Sequence, residues 1–151
     1  MLMLHAPTVL VLECEPGLRE IMAEGLGNYG YQVICALTAK HAAWICRDHG
    51  GLIDVLLADI SALGKRPLDC LQTIQGTELL LPVLLTSAYD RQSVSKNHSE
   101  LLAIHEFLPK PFTVSLLSTA IEIALQLHNA QRNFDLQERD WKANPPPHKE
   151  E

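Results

Sequence analysis

Short stretches of this 151-residue chain end, one after another, in residues with chemistry to offer. The apolar run at 9–12 stops at Glu13-Cys14-Glu15, the run at 55–58 stops at Asp59, the run at 83–86 stops at Ser87, and Lys110 follows the stretch at 106–108. Carboxylates gathered in one place can hold a hard divalent cation such as Mg²⁺, which takes oxygen ligands in a nearly octahedral shell. One of them can instead attack phosphorus, provided positive charge screens the phosphoryl oxygens. A lysine supplies a point charge for one such oxygen and a serine hydroxyl a hydrogen bond for another. Asp59, Lys110 and Ser87 are of the right types for these three parts. They serve equally well as a helix-capping carboxylate, a surface lysine and a loop serine, because acidic residues are frequent where a strand passes into a helix.

The elements that must position these residues follow from periodicity. Residues 8–12 are short and partly β-branched, as in a strand buried on both faces. Pro16 suits a first helical turn, and Leu18, Ile21, Met22, Gly25, Leu26 and Tyr29 then recur at helical spacing. The cycle repeats with a strand at 31–36, a helix with Ala42, Ile45, Cys46 and His49 on its apolar side, and a strand at 55–58. A helix with Leu68, Leu71, Ile74 and Gln75, a strand at 83–86, a short strand at 106–108 and a helix from Thr113 complete the pattern. Strands about 25 residues apart with helices between them predict an α/β fold, a doubly wound parallel sheet of five strands. Ligands in such folds bind beyond the C-terminal ends of the strands, where the polar residues above fall.

Composition narrows the function classes. Hydrophobic residues make up 47% and charged residues 20%, an ordinary globular mixture. Twelve Lys and Arg against 18 Asp and Glu give a net charge of −6, which argues against direct DNA binding. The longest apolar run, 79–85, contains Pro82 and is far short of the ~20 residues that cross a bilayer. The first seven residues lack the pattern of a secretory signal. Cys14, Cys35, Cys46 and Cys70 form no C-x-x-C pair; the last three lie in apolar stretches and are expected in the core. A reducing, cytoplasmic location follows as the expectation. The seven histidines show no shared metal spacing.

Four segments, in order, carry a resemblance: Val9-Leu10-Val11-Leu12-Glu13-Cys14-Glu15-Pro16 with Leu18-Arg19, Asp54-Val55-Leu56-Leu57-Ala58-Asp59, Pro82-Val83-Leu84-Leu85-Thr86-Ser87-Ala88, and Phe107-Leu108-Pro109-Lys110-Pro111-Phe112. Over residues 8–127 the chain resembles the receiver domain of two-component response regulators, particularly receivers attached to hybrid sensor kinases. The resemblance implies a flavodoxin-like (βα)5 fold and a phosphoryl group accepted on Asp59 from a histidine kinase or phosphotransfer protein. It also implies Mg²⁺ held by Glu13, by the residue at position 14, by Asp59 and by the Ser61 backbone carbonyl. By the same resemblance Ser87 is the switch hydroxyl, Phe107 the switch aromatic and Lys110 the invariant-type lysine, with a cis Lys110-Pro111 bond. The chain is then a signalling protein and not an enzyme, a stand-alone receiver acting on an unidentified downstream protein. A haloacid dehalogenase-like hydrolase would need a second aspartate where Ser61 stands.

Three departures bear on that expectation. Cys14 stands where the family has an aspartate, and a neutral thiol is a poor ligand for so hard an ion, so Mg²⁺ affinity should fall. The loop after Asp59 carries Leu63 and Pro67 in place of a proline and a glycine. Together these support an alternative, a degenerate receiver kept as a phosphorylation-independent interaction module. The segment 89–100 has only Val94 as an aliphatic anchor, which predicts a short or poorly ordered fourth helix.

The last helix runs long, with Leu116, Ala120, Ile123, Leu127, Ala130 and Phe134 at 4-3-4-3-4 spacing. The expected division is a receiver at 1–127, a helical extension at 128–143 and a disordered tail at 144–151. The seam reads either as a homodimerising helix or signalling connector, or as a helix whose first half packs on the sheet and whose polar remainder frays.

Overall fold

The computed structural model describes residues 6–76, 81–145 and 147. Five parallel strands, β1 (Thr8–Leu12), β2 (Gln32–Ala36), β3 (Val55–Asp59), β4 (Val83–Ser87) and β5 (Glu106–Pro109), form one sheet in the order β2-β1-β3-β4-β5. Between and after them run α1 (Pro16–Asn28), α2 (Ala39–His49), α3 (Pro67–Gln75), α4 (Arg91–Ile104) and α5 (Val114–Ala143). The α/β expectation holds. Its physical cause is visible in the burial: β1, β3 and β4 are buried at every position, as strands covered on both faces must be.

Alternate residues of each strand supply two separate cores. Leu10, Leu12, Leu56, Ala58 and Leu85 face α2, α3 and α4, whose Ile45, Leu71 and Leu101 close over them. Val9, Val11, Val55, Leu57 and Leu84 face the other way, against Met22 and Leu26 of α1 and Leu117 and Ile121 of α5. Asp54 ties the sheet at its N-terminal edge, where its Oδ2 accepts a hydrogen bond from Thr8 N at 2.7 Å. Every strand therefore ends at the same edge, and the polar residues that follow the strands share that edge.

Several expectations need correction. Ile21 of α1 and Tyr29 at its C-cap are 61% and 55% exposed, so the inward stripe is half-buried Leu18 with buried Met22 and Leu26 at i, i+4 spacing. His49 of α2 is exposed. Of the cysteines expected in the core only Cys46 is fully buried, while Cys35 and Cys70 are half-buried. The fourth helix is not short: α4 has 14 residues, anchored by Val94 and by Leu101, which lies just beyond the segment judged poor in anchors. It is nevertheless interrupted at His98, whose backbone (φ −142°, ψ 48°) is not helical. The cis Lys110-Pro111 bond is present. Helix α5 is continuous through Ala143, with all residues of 129–143 exposed. The tail expected at 144–151 lies largely outside the described residues.

Candidate functional site

At the C-terminal edge of the sheet, β1, β3 and β5 deliver three charged side chains to one point. Glu13 follows β1 directly and is 1% exposed; Asp59 closes β3 and is 6% exposed. Between them sits the ammonium of Lys110, just after β5, with Nζ 2.6 Å from Glu13 Oε1 and 3.3 Å from Asp59 Oδ2. The shorter contact is a close ion pair, and among the described residues Glu13 Oε1 receives no directed hydrogen bond. Burial pushes the Lys110 ammonium down, but Glu13 and Asp59 outweigh it and hold the group above its ordinary value. It therefore stays charged at neutral pH.

Asp59 is fixed by its own loop as well. Ser61 Oγ donates to Asp59 Oδ2 at 2.7 Å and Ser61 N donates to Oδ1 at 3.2 Å, an arrangement in which an aspartate bonds the backbone two residues on. The chain enters a short 3₁₀ turn there, at Ile60–Leu63, and leaves it at Gly64 with φ 76°. Ser87 is 5% exposed and its Oγ accepts from Tyr89 N at 3.0 Å. The register pairs Ser87 with Pro109, and Lys110 N donates to Ser87 O at 2.8 Å, so the serine and the lysine are placed by one strand pair. Phe107 is buried, and the Arg91 guanidinium lies 5.7 Å from its ring centroid.

Thus Glu13, Asp59, Ser61, Ser87 and Lys110 converge on one edge. Asp59, Ser61, Ser87 and Lys110 line a cleft of about 620 Å³ that continues to Lys96 and His98 at the kink of α4. Cys14 is exposed, and among the described residues no three His, Cys, Asp or Glu side chains are grouped to hold a metal. What remains for a cation is two carboxylates and backbone oxygen. That hard donor set suits Mg²⁺, which commonly binds through one or two carboxylates and keeps several waters. Glu13 Oε1, which among the described residues receives no directed hydrogen bond, lies against the Lys110 ammonium, so an ion bound there would share that oxygen with the lysine.

Three contributors escaped the sequence reading. The Ser61 hydroxyl, as opposed to its carbonyl, had a signal in its position two residues after an aspartate. Arg19, whose Nη1 donates to Glu13 O at 2.8 Å, sits one turn into α1, on the side facing the strand it leaves. Arg91 had no local signal, since its partner Phe107 is 16 residues away in sequence.

No family model matches the chain. Relatives do. The DNA-binding transcriptional regulator NtrC of Rhizobium meliloti is 32% identical over 121 residues, 78% of this chain and 24% of that protein. The sensor kinase CckA of Brucella abortus is 27% identical over 119 residues, 79% of this chain and 12% of that protein. Among solved structures, the receiver domain from the hybrid histidine kinase CckA superposes with a TM-score of 0.63 at 26% identity, covering 78% of this chain and 98% of that one. A response regulator receiver domain protein from Clostridium thermocellum superposes with a TM-score of 0.69 at 21% identity, over 83% of this chain and 98% of that one. The chain belongs to the response regulator receiver family, a family of signalling modules whose members generally bind Mg²⁺ at the phosphorylation site. It spans at most about a quarter of the length of these two curated relatives.

Proposed function

We propose that this receiver accepts a phosphoryl group on Asp59 from a histidine kinase or phosphotransfer protein and signals through a changed protein-binding surface. The observation that carries it is the Lys110 ammonium held between Glu13 and Asp59 at a buried strand edge. Asp59 Oδ1 is the freer oxygen, since Oδ2 already meets both Ser61 Oγ and Lys110. In the transfer Oδ1 attacks phosphorus as the bond from phosphorus to the donor histidine nitrogen breaks. Lys110 neutralises charge on the phosphoryl oxygens, and Ser87, on releasing Tyr89 N, turns its hydroxyl toward them. Phe107, under Arg91, adjoins α4 and transmits the change to the face made by α4, β5 and α5. Glu13, Asp59 and the Ser61 carbonyl would hold Mg²⁺, with Cys14 adding nothing to the charge. When bound, the ion supplies further positive charge to the phosphoryl group. Among the described residues no helix is long and apolar enough to cross a membrane.

A second reading rests on the same ion network. Lys110 already pairs with both carboxylates, leaving a single net negative charge among the three groups, while Cys14 lies exposed, as suits a degenerate receiver that works by protein contacts alone. Intact mass after incubation with acetyl phosphate and Mg²⁺ separates the two. A single phosphoryl adduct that disappears in Asp59→Asn supports the phosphoacceptor. No adduct on the wild type, with one on Cys14→Asp, supports the degenerate module and assigns the loss to that position.

A further inference from the structure

Helix α5 has two faces with different tasks. Toward its own domain it buries Leu117, Ser118, Ile121 and Ala124. On the other side Leu116, Ile123, Leu127, Phe134 and Trp141 are 55%, 43%, 54%, 58% and 64% exposed. With Ala120, Ala130 and Gln137 between them they follow one another at alternating separations of four and three residues. In heptad letters the seam occupies a and d, and the fully buried domain-facing residues fall at b, e and f, so packing on the domain leaves the seam open except at Ala120, an a position half-buried against the domain core.

That seam is suited to a helix of its own kind. A strict seven-residue repeat drifts by about 20° per heptad on a straight helix, and stays on one line only when two helices supercoil. From 129 to 143 every residue is exposed, so none of the described residues covers the helix there, and an unsupported segment of this length is marginal in water. Charge also favours a second copy. The chain carries −6 overall, but in the extension Arg132, Arg139 and Lys142 balance Asp135, Glu138 and Asp140, so its net charge is zero. In a parallel pair the g and e' residues that meet beyond the domain are Gln126 with Gln131 and Asn133 with Glu138, and no like charges oppose. Gln137 at d is a polar layer of the kind that sets register. Aromatic rings bury about 150–250 Å² each, so at their observed exposure the two pairs from Phe134 and Trp141 supply on the order of 500 Å² toward the ~1,200 Å² of a stable interface. The Leu116, Ile123 and Leu127 layers add to that.

We propose that α5 pairs with α5 of a second copy of this chain as a parallel two-stranded coiled coil through residues 116–141, with the two domains on its outer sides. This goes beyond the phosphoacceptor reading and does not rest on it. Light scattering and sedimentation of the full chain over a concentration series provide the test, with Leu127→Asp/Phe134→Asp as the disrupting variant. Both positions are exposed, so the domain should stay folded, which circular dichroism and the urea midpoint check. The wild type is expected to be a dimer whose dissociation constant rises by about 100-fold or more in the double variant. Ala130→Cys, at a d layer, is expected to form a disulfide between copies on mild oxidation, as parallel in-register helices require. A wild type that stays monomeric, a trimer, or a dimer indifferent to the two aspartates overturns the proposal. So does a monomer that associates only with another protein.

Discussion

A buried carboxylate is costly unless a positive charge stays with it, and for Glu13, 1% exposed, that charge is Lys110. Lys110→Met should therefore destabilise the domain by about 3–5 kcal/mol, because an uncompensated carboxylate is left inside. Glu13→Gln/Lys110→Met should recover the part of that loss due to Glu13, since neutral groups of similar shape carry little desolvation penalty, while Asp59 still lacks its ammonium. Urea midpoints of the two variants and of Glu13→Gln form a double-mutant cycle; additive losses would show that the 2.6 Å contact contributes nothing. At this scale the sequence was largely readable. Glu13, Asp59, Ser87 and Lys110 were recognisable because each follows a short apolar run. The Lys110 bridge between two carboxylates was not, because three strands 46–51 residues apart in sequence must first be aligned in one sheet.

Elements are held at fixed distances by their smallest residues, and α1 meets α5 at Gly25. A methyl group placed there would stand 2.6 Å from Val114 Cγ2 and 2.8 Å from Cγ1, closer than packed carbon atoms come. Alanine is intrinsically better than glycine in a helix by about 1 kcal/mol, but overpacking costs roughly 1–3 kcal/mol. Gly25→Ala should thus destabilise, and Gly25→Ala/Val114→Ala should be restored or better; a urea midpoint raised by Gly25→Ala alone would show that α5 yields freely. Element types and order were legible because apolar runs and helical stripes alternate along the chain. Which helical residues are buried was less so: Ile21 and Tyr29 match the spacing yet lie outward, because a 3.6-residue stripe is wider than the strip α5 and the sheet cover. Likewise Leu101 gives α4 its second anchor, and the break at His98 has no proline or glycine to announce it.

For the whole molecule, topology was the most legible feature and pH response the least, since the latter sums burial that only the folded sheet creates. Burial lowers His105 below its ordinary value of 6.5, and burial followed by the Arg132 charge lowers His128. A histidine with a depressed folded value contributes stability above 6.5 that is lost as pH falls toward that folded value, because the unfolded chain binds the proton more readily. Asp90, lowered mainly by its hydrogen bond from Ser93 N, adds a further loss below about 3.8. On the alkaline side burial raises Cys35, Cys46 and Cys70 above 9.0 and Tyr31 above 10.0. These groups stabilise the fold at lower pH, and their contribution disappears as pH rises through the folded values, with Lys110, raised above 10.5, adding to the loss. The urea midpoint should therefore be flat between about pH 6.5 and 9 and decline on both sides. His105→Gln should soften the acid limb and Cys46→Ala the alkaline one, each without moving the other. A midpoint that peaks at pH 5, or one that holds its plateau value to pH 10.5, would show that burial of these groups does not govern the stability of this receiver.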